Sequence, residues 1–385
     1  MRQDSVTGRP RLWTAGFWQI NFINLWVSMS VYMFMPLWPV WQGEESGTAL
    51  DESGAMVALF GLGLFLPGPF CNYWLDTYKR KTICLWAMLA VMAATFVLSF
   101  PGLPTGLPAV LRLLQGMAFG VFQIALGSTL LIDLSHTRRR TQAAHVYYWF
   151  SRFAWSLGPA AGWLAIRCGM ANVMVSMACV AVTAALVLLL RLHVPFRTPL
   201  EPVRFSTDRF WLRRGSPLFF GLLPVTLSAG LMMAGNRCFE FYGLLMVGFL
   251  LALVSHEVVF ANADLRAEVT AGLILLFGAC LLLLTGEAVV TVPFASVLAG
   301  WGLGLTSSRY LLFLIRISEH CERGTAQSTY MLAWEGGICM GFFGGCLMMR
   351  CCPRAVYGVG MLLTAGAAVY YLLYAHAWFL KRCRR

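Results

Sequence analysis

LHVPFRTPLEPVRFSTDRFWLRRG, residues 192–215, is the one long polar interruption in an otherwise apolar chain. Its three prolines and its charges of mixed sign suit an aqueous connector and not a bilayer-crossing helix. On either side of it the sequence alternates long apolar runs with short polar punctuation. A spanning helix needs roughly 20 mostly apolar residues, and hydropathy places such runs at 13–38, 53–75, 82–101, 106–134, 142–166, 170–191, 216–234, 240–260, 268–285, 288–312, 326–349 and 355–379. Six precede the connector and six follow it. The expected architecture is therefore all-α: a polytopic membrane protein with twelve transmembrane helices. Residues 1–191 form an N-terminal half, 192–215 a cytoplasmic linker, and 216–385 a C-terminal half.

The composition agrees. Of 385 residues, 59% are apolar and only 12% charged, about half the charged fraction of a soluble domain, and the mean hydropathy is +0.69. A water-soluble enzyme is excluded. The first apolar run is too long for a signal peptide and has no small-residue cleavage site after it, so it is expected to stay in the membrane. The run at 106–134 exceeds what a bilayer requires, which implies tilt or an extension beyond it.

Basic residues fix the expected orientation, because basic loops are retained on the cytoplasmic side. With the N-terminus inside, 22 of the 29 Lys and Arg residues fall in inner segments, among them Lys79, Arg80, Lys81 and Arg138–Arg140. Only Arg167, Arg237, Arg350 and Arg354 fall outside, and Arg112, Arg152 and Arg309 lie within spans. Both termini are expected in the cytoplasm, with the acidic residues Glu44, Glu45, Asp51 and Glu52 in the first outer loop. This distribution accounts for the net charge of +12 without a nucleic-acid partner. The twelve cysteines read as small apolar residues; only Cys168, Cys238, Cys351 and Cys352 approach the outer face, where a disulfide is conceivable, and no spacing suits a metal.

The halves echo each other. GMAFG at 116–120 matches GWGLG at 300–304, and HTRRRTQA at 136–143 matches HCERGTAQ at 320–327, both at an offset of 184 residues. GPAAG at 158–162 stands 183 residues before GFFGG at 341–345. An internal repeat of half the chain length points to a transporter with its site at the repeat interface.

Three motifs resemble the major facilitator superfamily. NYWLDTYKRK at 72–81 is similar to the loop signature after span 2, with Asp76, Arg80 and Lys81 in register, while Asn72 and Lys79 stand for its glycines and Thr77 for its arginine. RLLQG at 112–116 is similar to the span 4 motif, and LGPAAG at 157–162 resembles the span 5 motif of proton-coupled exporters. The resemblance covers essentially the whole chain. It implies two six-helix bundles, gating roles for Asp76, Arg80, Lys81, Gln115, Gly116, Gly158, Pro159 and Gly162, and proton coupling or packing for Arg112.

Polar groups in the spans carry the remaining information, since a charge near the bilayer centre costs roughly 2.5–3.5 kcal/mol on insertion scales. Arg152 and Glu335 fall near the middles of spans 5 and 11, at equivalent places in the repeat, and are expected to face each other across a central cavity. Glu335, the only acidic residue expected near the membrane centre, is the candidate proton carrier. Arg309 either attracts a substrate or steadies a gate. Asn21, Asn24 and Gln123 offer hydrogen bonds to a solute or between helices, and Trp155 and Trp334 are placed to line the cavity. His145, His256, Glu257 and Asp133 sit at inner span ends and Glu240 and Glu287 at outer ones, where headgroups or loops suffice as partners. Trp13, Trp18, Trp38, Trp41, Trp301 and Trp378 fit interfacial belts.

There is no Gly-rich nucleotide loop ending in Lys-Ser or Lys-Thr, and no catalytic constellation, cofactor or metal set. The expectation is a monomeric secondary transporter in a bacterial inner membrane. It exports a small organic solute in exchange for protons, with import of a sugar, carboxylate or nucleoside, or a transporter-like sensor, as alternatives.

Overall fold

The structure is a computed structural model that describes residues 11–37, 48–100, 103–104, 106–170, 173–194, 203–286, 290–319 and 321–383. The expectations for Trp38, Trp41, Glu44, Glu45, Glu287 and His320, for the side chain of Asp51, and for 195–202 of the linker lie outside these residues.

The chain is all-α. The N-terminal half comprises α1 (Ala15–Tyr32), α2 (Thr48–Phe65), α3 (Gly68–Thr77), α4 (Arg80–Leu98), α5 (Leu107–Gln123), α6 (Leu131–Leu134), α7 (Arg140–Arg167) and α8 (Val173–Arg191). The C-terminal half comprises α9 (Ser216–Gly235), α10 (Phe239–Val258), α11 (Leu265–Thr285), α12 (Thr291–Ile317), α13 (Arg323–Cys351), α14 (Pro353–Tyr370) and α15 (His376–Cys383). Among the described residues nine helices are long and apolar enough to cross a membrane, and the α2–α3 pair makes a tenth. The other two expected spans, α1 and α7, are also helical. They fall short of the same measure because α1 carries Gln19, Asn21 and Asn24, and α7 carries Arg152 with several aromatic hydroxyl and indole groups.

Two local departures have physical causes. The expected span 53–75 is bent by 50° between α2 and α3, where Pro67 and Pro69 remove backbone donors. The long run at 106–134 is continuous through a π-helical segment, Ile124–Leu130, between α5 and α6. A π turn widens the backbone locally, and here Gly127 faces the Tyr147 ring so closely that a Cβ would sit 2.8 Å from it. Pro159, by contrast, is absorbed within α7, which runs unbroken to Arg167.

Within the N-terminal half α2 packs on α5, α1 on α7 and α8, and α4 on α5 and α8. Within the C-terminal half α9 packs on α13 and α14, and α12 on α10 and α11. Across the halves α13 packs on α2 and on the π segment, and α7 on α10 and α12. The helices α9, α12 and α13 are mostly buried, whereas α8 and α14 show most of their surface, as helices facing lipid do.

The repeated sequence motifs turn out to be repeated helix contacts. A Cβ on Gly116 would lie 2.1 Å from the Phe60 carbonyl oxygen, with Gly63 opposite; at its counterpart Gly300 it would lie 2.3 Å from the Leu245 carbonyl, with Gly248 opposite. Gly158 and Gly162 meet the α1 backbone at Met29 and Met33, and their counterparts Gly341 and Gly345 meet α9 at Leu227 and Leu231. Small residues let helices approach in lipid, where there is no hydrophobic drive to hold them together. The shared offset therefore records one packing solution used twice.

Gly116→Val is expected to lower stability by about 1–3 kcal/mol through overpacking against α2. Gly366→Ala, with open space around it, is expected to be neutral or to stabilise by up to about 1 kcal/mol. Thermal unfolding in detergent distinguishes the two; equal midpoints for both variants would contradict this packing.

Candidate functional site

Glu335 lies midway along α13, 2% exposed. Its Oε1 accepts hydrogen bonds from the Tyr32 hydroxyl on α1 and from Trp155 Nε1 on α7, the latter at 3.2 Å. The two donor rings are stacked, 4.2 Å between centroids, so one aromatic platform of the N-terminal half presents both donors to one carboxyl of the C-terminal half. Glu335 Oε2 has no partner among the described residues.

Arg152, one turn before Trp155 on α7, is 1% exposed. Its reach is the mirror of Glu335's, from the N-terminal half into the C-terminal half. Nε donates to Ser307 Oγ on α12 and Nη2 to the Tyr330 hydroxyl on α13, each at 2.8 Å. The guanidinium lies 4.6 Å from the Trp149 ring centroid, 5.8 Å from Tyr330 and 5.9 Å from Trp334, within cation–π range. Among the described residues no carboxylate forms an ion pair with Arg152 and no cation pairs with Glu335. The two charges are thus both at the interface, each held by neutral donors and rings, and are not a salt bridge with each other.

Several other singled-out residues are tied within one half. Asn24 Nδ2 donates to the Tyr147 carbonyl at 3.1 Å and to Ser151 Oγ at 2.8 Å. Gln123 Nε2 donates to Asn24 Oδ1 at 3.0 Å and Ser28 Oγ at 3.1 Å, while its Oε1 accepts from the Tyr147 hydroxyl. This closed network joins α1, α5 and α7. Asn21 Nδ2 bonds back to the Phe17 carbonyl, leaving its Oδ1 without a partner. Arg112 donates to Gln115, which donates to Thr95 of α4, so the α5 motif braces α4.

Arg309 is placed differently from the expected cavity residue. It is buried against Glu268 of α11 in a two-armed ion pair, and His256 Nδ1 of α10 lies 3.1 Å from the same carboxylate. Glu268 is fully buried too, but in the first turn of α11 and not midway along a helix as Glu335 is. His256 also approaches His145 of α7, 5.2 Å between ring centroids, across the halves.

At the end of the bundle bearing the basic loops, the last part of the linker clamps both halves. Arg209, in left-handed backbone conformation at φ 64°, donates through its guanidinium to Asp76 at 2.7 Å and through its backbone N–H to Thr325 Oγ1 at 2.9 Å. Asp76 also lies 3.9 Å from Arg80, which pairs with Asp133, a residue the sequence left to headgroups or loops. Lys81 donates to the Leu190 and Leu192 carbonyls at the end of α8. The Tyr148 hydroxyl reaches the Gln327 carbonyl at 2.9 Å. At the opposite end Arg237 donates to the Pro36 carbonyl and to Ser53 Oγ, and Arg167 pairs with Glu240 through both arms. The halves therefore touch at both ends, enclosing the Arg152–Glu335 region. A narrow apolar cleft lined by Met35, Trp155, Pro159, Met233, Tyr242 and Phe342 lies on the side of that region away from the basic loops.

All twelve cysteines are free, and no cluster of metal-ligating side chains occurs among the described residues. Sequence inspection missed Tyr32, Tyr330, Ser307, Glu268 and Arg209. Aromatic residues spaced three and four apart around each charge, Trp149–Arg152–Trp155 and Tyr330–Trp334, were the available signal for part of this set.

The family model described as Major Facilitator Superfamily matches residues 20–341. No curated protein matches the sequence. The fold is similar to the human organic anion transporter MFSD10 (TETRAN), at TM-score 0.69 and 13% identity over 93% of this chain and 100% of that one. It is similar to the POT family transporter PepTSo, at TM-score 0.71 and 12% identity over 96% and 99%. It is also similar to a POT family transporter in complex with 5-aminolevulinic acid, at TM-score 0.70 and 13% identity over 95% and 96%. At these identities the likeness concerns the fold alone.

The two kinds of buried charge are expected to answer mutation oppositely. Arg309→Leu leaves the buried Glu268 carboxylate with only the His256 ring beside it and is expected to cost about 3–5 kcal/mol, most of it recovered in the Arg309→Leu/Glu268→Leu double variant. Arg152→Leu leaves no ion-pair partner behind and is expected to be neutral or stabilising. Chemical or thermal unfolding of the purified variants reads this directly, and a loss in Arg152→Leu as large as that in Arg309→Leu would contradict the assignment.

Proposed function

The chain belongs to the Major Facilitator Superfamily and is a secondary transporter, and from that premise we propose that it exports a small organic solute in exchange for protons by alternating access. The moving bodies are residues 1–191 and 216–385, tethered by 192–215 and rocking about the Arg152–Glu335 region. The basic end faces the cytoplasm with both termini, as the 22 basic residues of those segments favour. The setting is a bacterial inner membrane, and the protein works as a monomer without nucleic acid.

One observation carries the coupling: a carboxyl on α13 takes its hydrogen bonds from Tyr32 and Trp155 of the opposite half. Hydrogen bonds to an ionised acceptor are roughly twice as strong as neutral ones. Glu335 in its charged form therefore ties the halves together at mid-membrane, and a proton on it loosens that tie. Two conformations that differ by a few kcal/mol shift their balance with such a change. The contacts at both ends describe the occluded point of the cycle. From there, opening toward the basic end breaks the Arg209–Asp76 and Tyr148–Gln327 contacts, and opening the other way breaks Arg237–Pro36 and Arg167–Glu240. The apolar cleft beside Trp155 supplies a path on the second side. Export as the direction draws on LGPAAG at 157–162, whose Pro159 lines that cleft.

The test is flux in proteoliposomes with tyramine, 4-hydroxybenzoate and 4-hydroxybenzamide as labelled probes of three charge types. Acidifying the side opposite the basic loops is expected to drive at least one probe toward that side. In Glu335→Gln the gradient-driven component is expected to vanish while solute–solute exchange persists. Gradient-driven flux of undiminished size in Glu335→Gln would contradict the coupling, and flux in the reverse direction would contradict export.

A further inference from the structure

Four buried polar atoms in the mid-membrane interface have no partner among the described residues. Three are donors, Arg152 Nη1, Trp149 Nε1 and Trp334 Nε1, and one is an acceptor, Glu335 Oε2. They are clustered: the Arg152 guanidinium lies within cation–π range of both the Trp149 and Trp334 rings, and Trp334 is the chain neighbour of Glu335. Trp155, which donates to Glu335 Oε1, is three residues beyond Arg152 on α7. Trp155 and Arg152 thus stand about one helical turn apart on α7, one meeting the carboxyl and the other carrying the guanidinium.

The rest of the guanidinium is fixed. Ser307 and Tyr330 hold Nε and Nη2, so its plane is set and one nitrogen remains open. Hydroxyls and rings satisfy shape and part of the hydrogen bonding but bring no counter-charge. A buried cation without one persists in a membrane where a charged partner visits. Guanidinium presents planar, paired donors suited to a carboxylate, and Trp149, Tyr330 and Trp334 offer flat apolar faces beside it.

Resting on the transport reading above, we propose that this transporter's solute is a small organic acid. Its carboxylate sits on Arg152 Nη1 with the Trp149 and Trp334 indole N–H groups as further donors, its flat apolar body lies among the rings, and a hydroxyl or amine donates to Glu335 Oε2. Organic cations are disfavoured, because Arg152 repels them from the same cage. Acids lacking a donor group bind more weakly, because Glu335 Oε2 then stays unpaired.

The experiment uses the full-length protein in nanodiscs with 4-hydroxybenzoate, 4-hydroxybenzamide and tyramine, which share a phenol and differ in charge. Tryptophan fluorescence and the thermal unfolding midpoint are read together, since Trp149, Trp155 and Trp334 surround the site. The acid alone is expected to give a saturable change and a raised midpoint. Arg152→Gln is expected to weaken it at least about tenfold, the scale of one charged hydrogen bond, and Arg152→Lys less, keeping charge without the planar pair of donors. Replacing 4-hydroxybenzoate by 4-methoxybenzoate is expected to weaken binding in wild type and to matter less in Glu335→Ala. The proposal is overturned if the amide or the amine binds as tightly as the acid, if none of the three binds, or if both Arg152 variants bind the acid like wild type. Acid binding without flux in proteoliposomes would instead sink the transport reading and leave the ligand class standing. Flux of tyramine without acid binding would do the reverse.

Discussion

A carboxyl group carried into the hydrocarbon layer must find hydrogen-bond donors there, and Glu335 finds its two on the other half of the molecule. That requirement shapes the interface around it. Tyr32 and Trp155 stack so that both donors converge, which brings α1 and α7 side by side. The close approach of those helices depends on Gly158 and Gly162. Arg152 makes the reciprocal crossing to Ser307 and Tyr330, so each half supplies the charge that the other half solvates.

The contrast with Glu268 and Arg309 separates charges paired inside the protein from charges left without an ionic partner. Those two neutralise each other within the C-terminal half, joining α11 to α12, and need nothing from outside the protein. Arg152 and Glu335 are equally buried yet have no ionic partner among the described residues, and each keeps an open atom. Such unsatisfied groups are stability forgone, and proteins retain them where a ligand or a proton completes the set. The Asn24–Gln123–Tyr147 network has every amide group bonded and belongs to the first kind.

Most of the fold was legible because hydropathy integrates over twenty residues: helix ends lie within several residues of the apolar runs, and the linker and repeat offset were visible in the letters alone. The bend at Pro67 was written in the sequence but hidden by its averaging. The π segment had no signature, since it depends on Tyr147 packing over Gly127 from another helix. For the site, the charges Arg152 and Glu335 stood out because charge is rare in spans, and their equivalence in the repeat followed from counting. Their partners did not, because a tyrosine or serine in a span is cheap and common. Glu268 escaped because it sits at the edge of an apolar run, where burial depends on the Arg309 side chain reaching it from α12. Arg209 escaped because its role comes from where the linker lands after leaving α8.

In the proposed cycle the protonation state of Glu335 sets the balance between conformations open at opposite ends. Spin-label distances test it most directly, with one pair at Arg138 and Arg316 on the basic end and one at Met170 and Cys352 on the other, the remaining exposed cysteines replaced by serine. The account expects the two pairs to change in opposite senses between acid and alkaline buffer in the wild type, and to be fixed at the acid-like distribution in Glu335→Gln. Distances that ignore pH in the wild type, or that respond identically in Glu335→Gln, would contradict it.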